Sequence, residues 1–161
     1  MENYNVRHIE DAALKEMAYA VRREVFVVEQ EVAPDEEFDE FEDDSRHFLV
    51  STDDGKAVGT ARWRFTNRGV KLERFAVLQE FRGKGVGAAL VQAVMDDVRS
   101  QTQNKPAPNV YMHAQLRAMP LYYRFGFEKE GEKFDECGIQ HYTMVWKGGQ
   151  RSGDLQNAID L

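Results

Sequence analysis

The sequence predicts a mixed α/β fold built on a largely antiparallel sheet of six to seven strands. Three observations carry that reading. Between His47 and Val77, three stretches with strand periodicity are joined by turn-forming residues, the pattern of an antiparallel meander. Across Arg82-Gly83-Lys84-Gly85-Val86-Gly87 the apolar spacing switches from period two to helical. The next strand is reached through that helix, which suits a parallel neighbour. A meander argues against a sheet whose strands alternate with helices throughout.

The elements follow in order. Tyr4–Ile9 alternates and makes a short first strand. From Ala12 onward, Leu14, Met17, Ala18, Val21, Val25 and Val28 fall on one face of an amphipathic helix, with Lys15, Glu16, Arg22 and Arg23 elsewhere. Residues 35–44, DEEFDEFEDD, hold eight acids and two phenylalanines, a charge run that reads first as a solvated face. The second strand begins over 47–51. Asp53-Asp54-Gly55-Lys56 supplies a hairpin turn, and 57–65 returns as the third strand. Thr66-Asn67-Arg68-Gly69 turns again into the fourth, where Val70, Leu72, Arg74 and Ala76 alternate with Lys71, Glu73, Phe75 and Val77. Val86, Ala89, Leu90, Ala93, Val94 and Val98 line the long helix. A Pro-containing loop leads to a fifth strand over 109–114, and Pro120 sits in the first turn of a short helix over 120–124. Residues 127–134 and Ile139–Trp146 are the last two strands. One domain thus covers 1–147, with 148–161 a flexible Gly/Ser/Gln-rich tail.

The glycine-rich loop carries the first chemical signal. Glycines at 83, 85 and 87 let the backbone approach a ligand closely, and the helix that follows offers its amides and positive end to an anion. Arg82 and Lys84 add two charges. The loop reads as a phosphate or pyrophosphate cradle, with a plain strand-to-helix turn as the alternative. A Walker loop fits poorly: its first glycine would fall on Leu78, and Lys84 is followed by glycine. Gly83-x-Gly85-x-x-Ala88 satisfies a loose dinucleotide pattern, yet residues 103–108 offer no acid where that pattern wants one.

Composition bounds the class. A chain of 161 residues with 42% hydrophobic and 30% charged residues is ordinary for one soluble domain. No apolar run approaches membrane-spanning length, and the opening MENYNVRHIEDAA lacks the basic and apolar regions of a signal peptide. Cys137 alone builds no intramolecular disulfide. The expectation is cytoplasmic, with no membrane partner. A net charge of −7 argues against nucleic acid and is compatible with a cationic amine substrate. The histidines and Cys137 show no ligand spacing, so no metal is expected. A homodimer is neither required nor excluded.

Arg82-x-x-Gly85-x-Gly87 resembles the Q/R-x-x-G-x-G/A signature of the GNAT superfamily, the acyl-CoA-dependent N-acetyltransferases. Arg74-Phe75-Ala76-Val77 is similar to that family's splayed fourth strand. Gln115-x-x-Ala118-x-x-Leu121-Tyr122-Tyr123-Arg124-Phe125-Gly126-Phe127 resembles its N-x-x-A-x-x-F-Y-x-x-x-G-F segment, with Gln115 in place of Asn and Leu121 in place of Phe. Two motifs in the right order make the match specific, and it covers roughly Tyr4 to Trp146. The resemblance implies helices on both sheet faces, a splay between strands four and five, and acetyl-CoA as co-substrate. It implies that Arg82, Gly83, Lys84, Gly85, Val86, Gly87 and Ala88 hold the diphosphate, that Phe75, Ala76 and Val77 pair with the pantetheine arm, and that Gln115 takes the family's asparagine position. A main-chain N–H on that strand would donate to the thioester oxygen.

The resemblance also implies an acetyl transfer to a primary amine of a small molecule or peptide by direct attack in a ternary complex. Tyr122 is the candidate general acid toward the thiolate, since a phenol of pKa ~10 keeps its proton at neutral pH; core packing is its alternative role, and Tyr123 is the competitor one residue on. Glu73 is the candidate general base, directly or through water, or else a surface ion pair with Lys71 or Arg64. Glu29 and Gln30 lie in Arg22-Arg23-Glu24-Val25-Phe26-Val27-Val28-Glu29-Gln30, which resembles a bacterial subgroup's segment bordering the acceptor cleft; a polar helix exit is the alternative. In that setting the acidic run would be a mobile rim attracting amines, anchored by Phe38 and Phe41. His47 and His141 are further candidates for base or substrate contact. Asp135 and Glu136 beside Cys137 argue against a nucleophilic thiol. A non-catalytic acyl-CoA-binding or sensing module and a nicotinamide-dependent oxidoreductase are the other classes.

Overall fold

A computed structural model describes residues 3–103 and 108–148. The flexible tail expected over 148–161 lies, beyond Gly148, outside the described residues. The chain forms β1 (Tyr4–Ile9), α1 (Ala12–Arg22), α2 (Pro34–Glu37), β2 (Arg46–Thr52), β3 (Ala57–Thr66), β4 (Gly69–Val77), α3 (Val86–Thr102), β5 (Val110–Gln115), α4 (Met119–Arg124), β6 (Phe127–Glu136) and β7 (Ile139–Trp146). The seven strands make one sheet in the order β1-β2-β3-β4-β5-β7-β6, parallel between β4 and β5 and antiparallel elsewhere.

Each face of the sheet carries helices because each presents an apolar row. α3 buries Val86, Leu90, Val91 and Val94 against Trp63, Val70 and Leu72. Leu90 has no solvent exposure, so Leu90→Ala should cost about 2–5 kcal/mol through lost transfer energy and a residual cavity. Asp97 of α3 ties the layer to the sheet by accepting from Arg46 Nε at 2.7 Å and Trp63 Nε1 at 2.8 Å. On the other face α1 begins at Asp11, whose Oδ1 accepts from the amides of Ala13 and Leu14. Ala18 packs with Ile9 and Leu49, while Val21 and Val25 pack with Ala76.

The helical face expected beyond Arg22 changes phase. Arg23–Glu29 is a π-helical segment, closed by Gln30 N–H donating to Val25 C=O, five residues back. The wider turn keeps Val25 inside, brings Phe26 in with it, and turns Val28 out to 61% exposure.

β4 departs from simple alternation too. Thr60 pairs with Ala76 but Arg62 pairs with Glu73, so two residues of β4, Arg74 and Phe75, stand opposite Ala61 alone. This bulge inverts the side-chain phase. Lys71 and Glu73 face the α1 side; beyond the bulge Ala76 does so, and Phe75 and Val77 join the α3 side. The parallel pairing with β5 covers Val70–Leu72 against Val110–Met112 and stops there, opening the expected splay. The tight end of the V depends on Gly69, where a Cβ would lie 2.2 Å from the Asn109 carbonyl oxygen.

Candidate active site

The splay opens into a cleft of about 300 Å³ lined by β4, the π-helical segment, β5 and the β6–β7 turn. Its shape starts at Arg74, whose φ of 61° is one that non-glycine residues rarely adopt, at a cost of about 1–3 kcal/mol. Charge holds it there. The Arg74 guanidinium lies 3.2 Å from Glu37 Oε1 and 3.1 Å from Asp39 Oδ2, and donates to the Glu37 carbonyl. The bulge thus persists because the acidic run grips it.

The run is solvated only in part: Asp35, Glu36, Glu40, Asp43 and Asp44 are exposed, while Glu37, Asp39 and Glu42 turn inward. Glu37 is 3% exposed and accepts from Arg22 Nε at 2.9 Å. Glu42 takes both Arg22 terminal nitrogens at 2.8 Å and Arg62 Nη1 at 2.7 Å. Asp39 accepts a fork from Arg62 at 2.9 and 2.8 Å. Burial works against ionising Asp39, but Arg62 outweighs it and pulls the carboxyl down to about 2. Phe38 and Phe41 anchor the run through cation–π contacts, Phe38 with Arg22 at 4.9 Å and Phe41 with Arg64 at 3.7 Å. Buried arginines demand carboxylates, and this run supplies them.

Glu73 sits in the same lattice, buried rather than superficial. It lies 2.6 Å from Arg62, 3.1 Å from Lys71 and 3.2 Å from Arg64. Burial raises its pKa, yet Arg62, Arg64 and Lys71 together pull it down to about 2. A carboxylate so held has little affinity for a proton at neutral pH, which favours the ion pair with Lys71 and Arg64 expected as its alternative over a role as direct base, although Glu73 lines the cleft. The expectation for His47 is corrected. It is 1% exposed beneath Tyr19, with Nε2 2.8 Å from the Glu42 carbonyl, and does not line the cleft.

The glycine loop lies where β4 hands over to α3. Gly83 and Gly85 take φ of 74° and 85°, conformations that a Cβ would strain even though the space around both is open. Gly85 is the helix cap, and its carbonyl accepts the amide of Ala89 at 3.1 Å. Gly83, Lys84 and Gly85 are exposed, Val86 and Gly87 buried and Ala88 half-buried. Arg82 donates from Nε to the Val77 carbonyl at 3.0 Å, and the Lys84 ammonium lies 5.3 Å from the Phe81 ring centre.

Glu29 was expected at the acceptor cleft. It instead takes Arg82 in a two-pronged pair, both bonds 2.7 Å, with Arg117 3.9 Å away. The Arg82 hydrogen bond holds its carboxyl below the usual range. The π-helical turn aims Glu29 at the cradle, while Gln30 faces Gln115, which donates to it at 2.9 Å. Gln115 thereby links β5 to the end of the π-helical segment.

Tyr122 lines the cleft with Phe75, Ala76, Val77 and Arg117. Its ring meets Phe75 edge-on at 5.9 Å, and burial pushes its phenol well above the ordinary value, Arg117 opposing. Tyr123, at 37% exposure, points elsewhere and does not line the cleft. His141 lines the opposite wall with His113 and Glu136. Periodicity missed Arg74, Arg117, His113 and Glu136. Only the bulge and the β5–β7–β6 register bring them to the cleft.

A sheet splayed between β4 and β5 beside a glycine-rich helix start is the GNAT fold, shared with solved structures of that fold. The model for the Acetyltransferase (GNAT) domain matches residues 9–147, and the chain belongs to that family. The chain is 39% identical over 129 residues to the uncharacterized N-acetyltransferase YjcF of Bacillus subtilis (strain 168), covering 80% of this chain and 89% of that one. Escherichia coli ElaA superposes with a TM-score of 0.75 at 27% identity, over 91% of this chain and 100% of that one. A GNAT family acetyltransferase from Elizabethkingia anophelis, solved with acetyl-CoA bound, shares the fold with a TM-score of 0.56 at 14% identity, over 89% of this chain and 95% of that one.

Proposed function

We propose that this protein transfers acetyl from acetyl-CoA to a primary amine of a small molecule or peptide, by direct attack within a ternary complex. The observation that carries the reading is the interrupted β4–β5 ladder, which ends at Leu72 and leaves Arg74–Val77 facing a cleft that reaches Arg82, the residue before the glycine loop. A continuous ladder would have no main-chain edge to offer a pantetheine arm. The family membership and the acetyl-CoA held by a protein of the same fold support the choice of donor.

In this reading the amides around Gly83–Ala88, with Arg82 and Lys84, take the diphosphate. Phe75–Val77 pair with the pantetheine arm, and an amide there meets the charge developing on the thioester oxygen. Tyr122 gives its proton to the leaving thiolate, a role suited to a phenol that burial keeps protonated. Glu73 and the lattice around it hold the bulge, which leaves the amine's proton to a group on the opposite wall.

Calorimetry with acetyl-CoA, followed by thiol release over a panel of primary amines, tests the reading. Micromolar binding with amine-dependent release supports it; binding without release above background makes the protein an acyl-CoA-binding module. Tyr122→Phe should bind acetyl-CoA normally and turn over about 10- to 100-fold more slowly. Unchanged turnover would remove Tyr122 from the chemistry.

A further inference from the structure

The wall opposite β4 carries a cluster that neither the cradle nor Tyr122 explains. His113 and Gln115 of β5, His141 of β7, and Phe134 and Glu136 of β6 share one sheet face, since His141 stands directly between Gln115 and Phe134 in the pairing. Glu136 lies between two imidazoles, with Oε1 3.1 Å from His113 Nδ1 and Oε2 3.7 Å from His141 Nε2. The His113 hydrogen bond, against burial, holds the Glu136 carboxyl below its usual range.

The His141 ring is fixed in tautomer and in place. Its Nδ1 lies 2.7 Å from the Ile139 carbonyl oxygen. That oxygen only accepts, so Nδ1 carries the hydrogen and the neutral ring keeps its lone pair on Nε2. Phe134 stacks on the ring at 5.8 Å and 23°, and meets His113 edge-on at 5.1 Å. His141 is 6% exposed, and it opens onto the cleft rather than onto bulk solvent.

We propose that His141 is the general base of the transfer, with Glu136 and His113 as positioning residues. This rests on the N-acetyltransferase reading and names the group that reading leaves open. The acceptor enters as an ammonium, and His141 Nε2 takes one proton from it. The freed nitrogen lone pair attacks the thioester carbonyl carbon. The C–S bond breaks, the thiolate takes the Tyr122 proton, and the nitrogen's second proton restores the phenol. His141 returns its proton to water, so the amine's net proton reaches solvent.

Glu136 makes the proton acceptable. A lone pair 3.7 Å from a carboxylate gains an ion pair when it is protonated, and His113 holds that carboxylate in place. Other charged or titratable groups near this wall are Lys71 of β4, whose charge acts on Glu136, Cys137 at the β6–β7 turn, and Glu36 of α2 and Arg74 of β4, whose charges act on Cys137. Burial, with Glu36 alongside, pushes the Cys137 thiol up to about 11, so it is no competing thiolate. Among the described residues, no group of three His, Cys, Asp or Glu side chains could hold a metal ion.

The test pairs a protonated amine, n-propylamine, with hydroxylamine, which is unprotonated at neutral pH and needs no base before attack. The variant is His141→Asn, whose amide can still donate to the Ile139 carbonyl. It should bind acetyl-CoA within about twofold of wild type and lose about 100-fold or more in kcat with n-propylamine, while hydroxylamine turnover holds within about threefold. Glu136→Gln should lower kcat with n-propylamine without changing its KM, while hydroxylamine turnover holds within about threefold, because the imidazolium loses its partner. Equal losses with both amines, or no loss with n-propylamine, overturn the proposal and leave the N-acetyltransferase reading standing. Wild-type protein that fails to bind acetyl-CoA sinks that reading instead. The nitrogen spectrum of ¹⁵N-histidine-labelled full-length protein then still decides His141: the Nδ1–H tautomer supports the proposal, and the Nε2–H tautomer ends it.

Discussion

The glycine loop and the ionic lattice beneath β4 serve the same cleft by opposite means. The loop is a run of consecutive residues that works through its main chain, with Gly83 and Gly85 in left-handed conformations and their surroundings open. The lattice draws Arg22 from α1, Glu37 from α2, Asp39 and Glu42 from the following loop, Arg62 from β3 and Glu73 and Arg74 from β4. It works entirely through side chains. The loop needs only local conformation to face an anion. The bulge needs partners more than thirty residues away to hold Arg74 at its φ of 61°. The lesson is that a ligand-facing loop and a structural support can fail separately.

The largest expected effect lies in the loop. Gly85→Glu should abolish acetyl-CoA binding, by calorimetry a loss of about 100-fold or more, through left-handed strain and a carboxylate facing the diphosphate. Its melting temperature should fall only slightly; collapse of the fold would blur the contrast.

Next comes the lattice. Arg62→Ala leaves Asp39, Glu42 and Glu73 without their shared partner, and breaking buried pairs of this kind costs about 3–5 kcal/mol. Chemical denaturation that showed no loss would mean the lattice is not structural.

Acid should reproduce part of that loss in the wild-type chain. Unfolded, Glu73 takes a proton near 4.5; folded, it stays ionised down to about 2. Its contribution is therefore fully present above pH 4.5 and is lost as pH falls toward 2, about 3 kcal/mol over that window. Asp39 acts in the same sense, while Glu37, which burial raises, acts in the opposite one. Circular dichroism melts at stepped pH should show the decline, and a flat profile would count against it.

Arg74→Gly should have the smallest effect on stability. It removes the contacts to Glu37 and Asp39 but also relieves the left-handed strain, for a net change of about 1 kcal/mol. Arg74→Ala keeps the strain and loses the contacts, so it should melt lower than Arg74→Gly. Equal melting of the two would say that φ at this position carries no cost.

The contrast explains what could be read in advance. Strand and helix positions followed the apolar periods closely, because those periods record which face is buried. The cradle stood out because glycines and cations adjoin in sequence. Val28 was misplaced because a π-helical turn leaves no mark on spacing. The alternation expected along β4 breaks before Phe75 and Val77 because a bulge held by Arg74 has no glycine to announce it. Glu73 stayed open between base and ion pair because Arg62, its nearest partner, and the burial of the pair show only once β3 lies beside β4.

By itself the sequence determined the meander, the crossover helix, the glycine loop and the family to which the chain belongs, all properties of short-range order. Only the tertiary structure decided which carboxylates are locked by arginine, which tyrosine faces the cleft and which histidine meets Glu136. Proton affinity and access depend on neighbours brought together through space, and no local pattern encodes those distances.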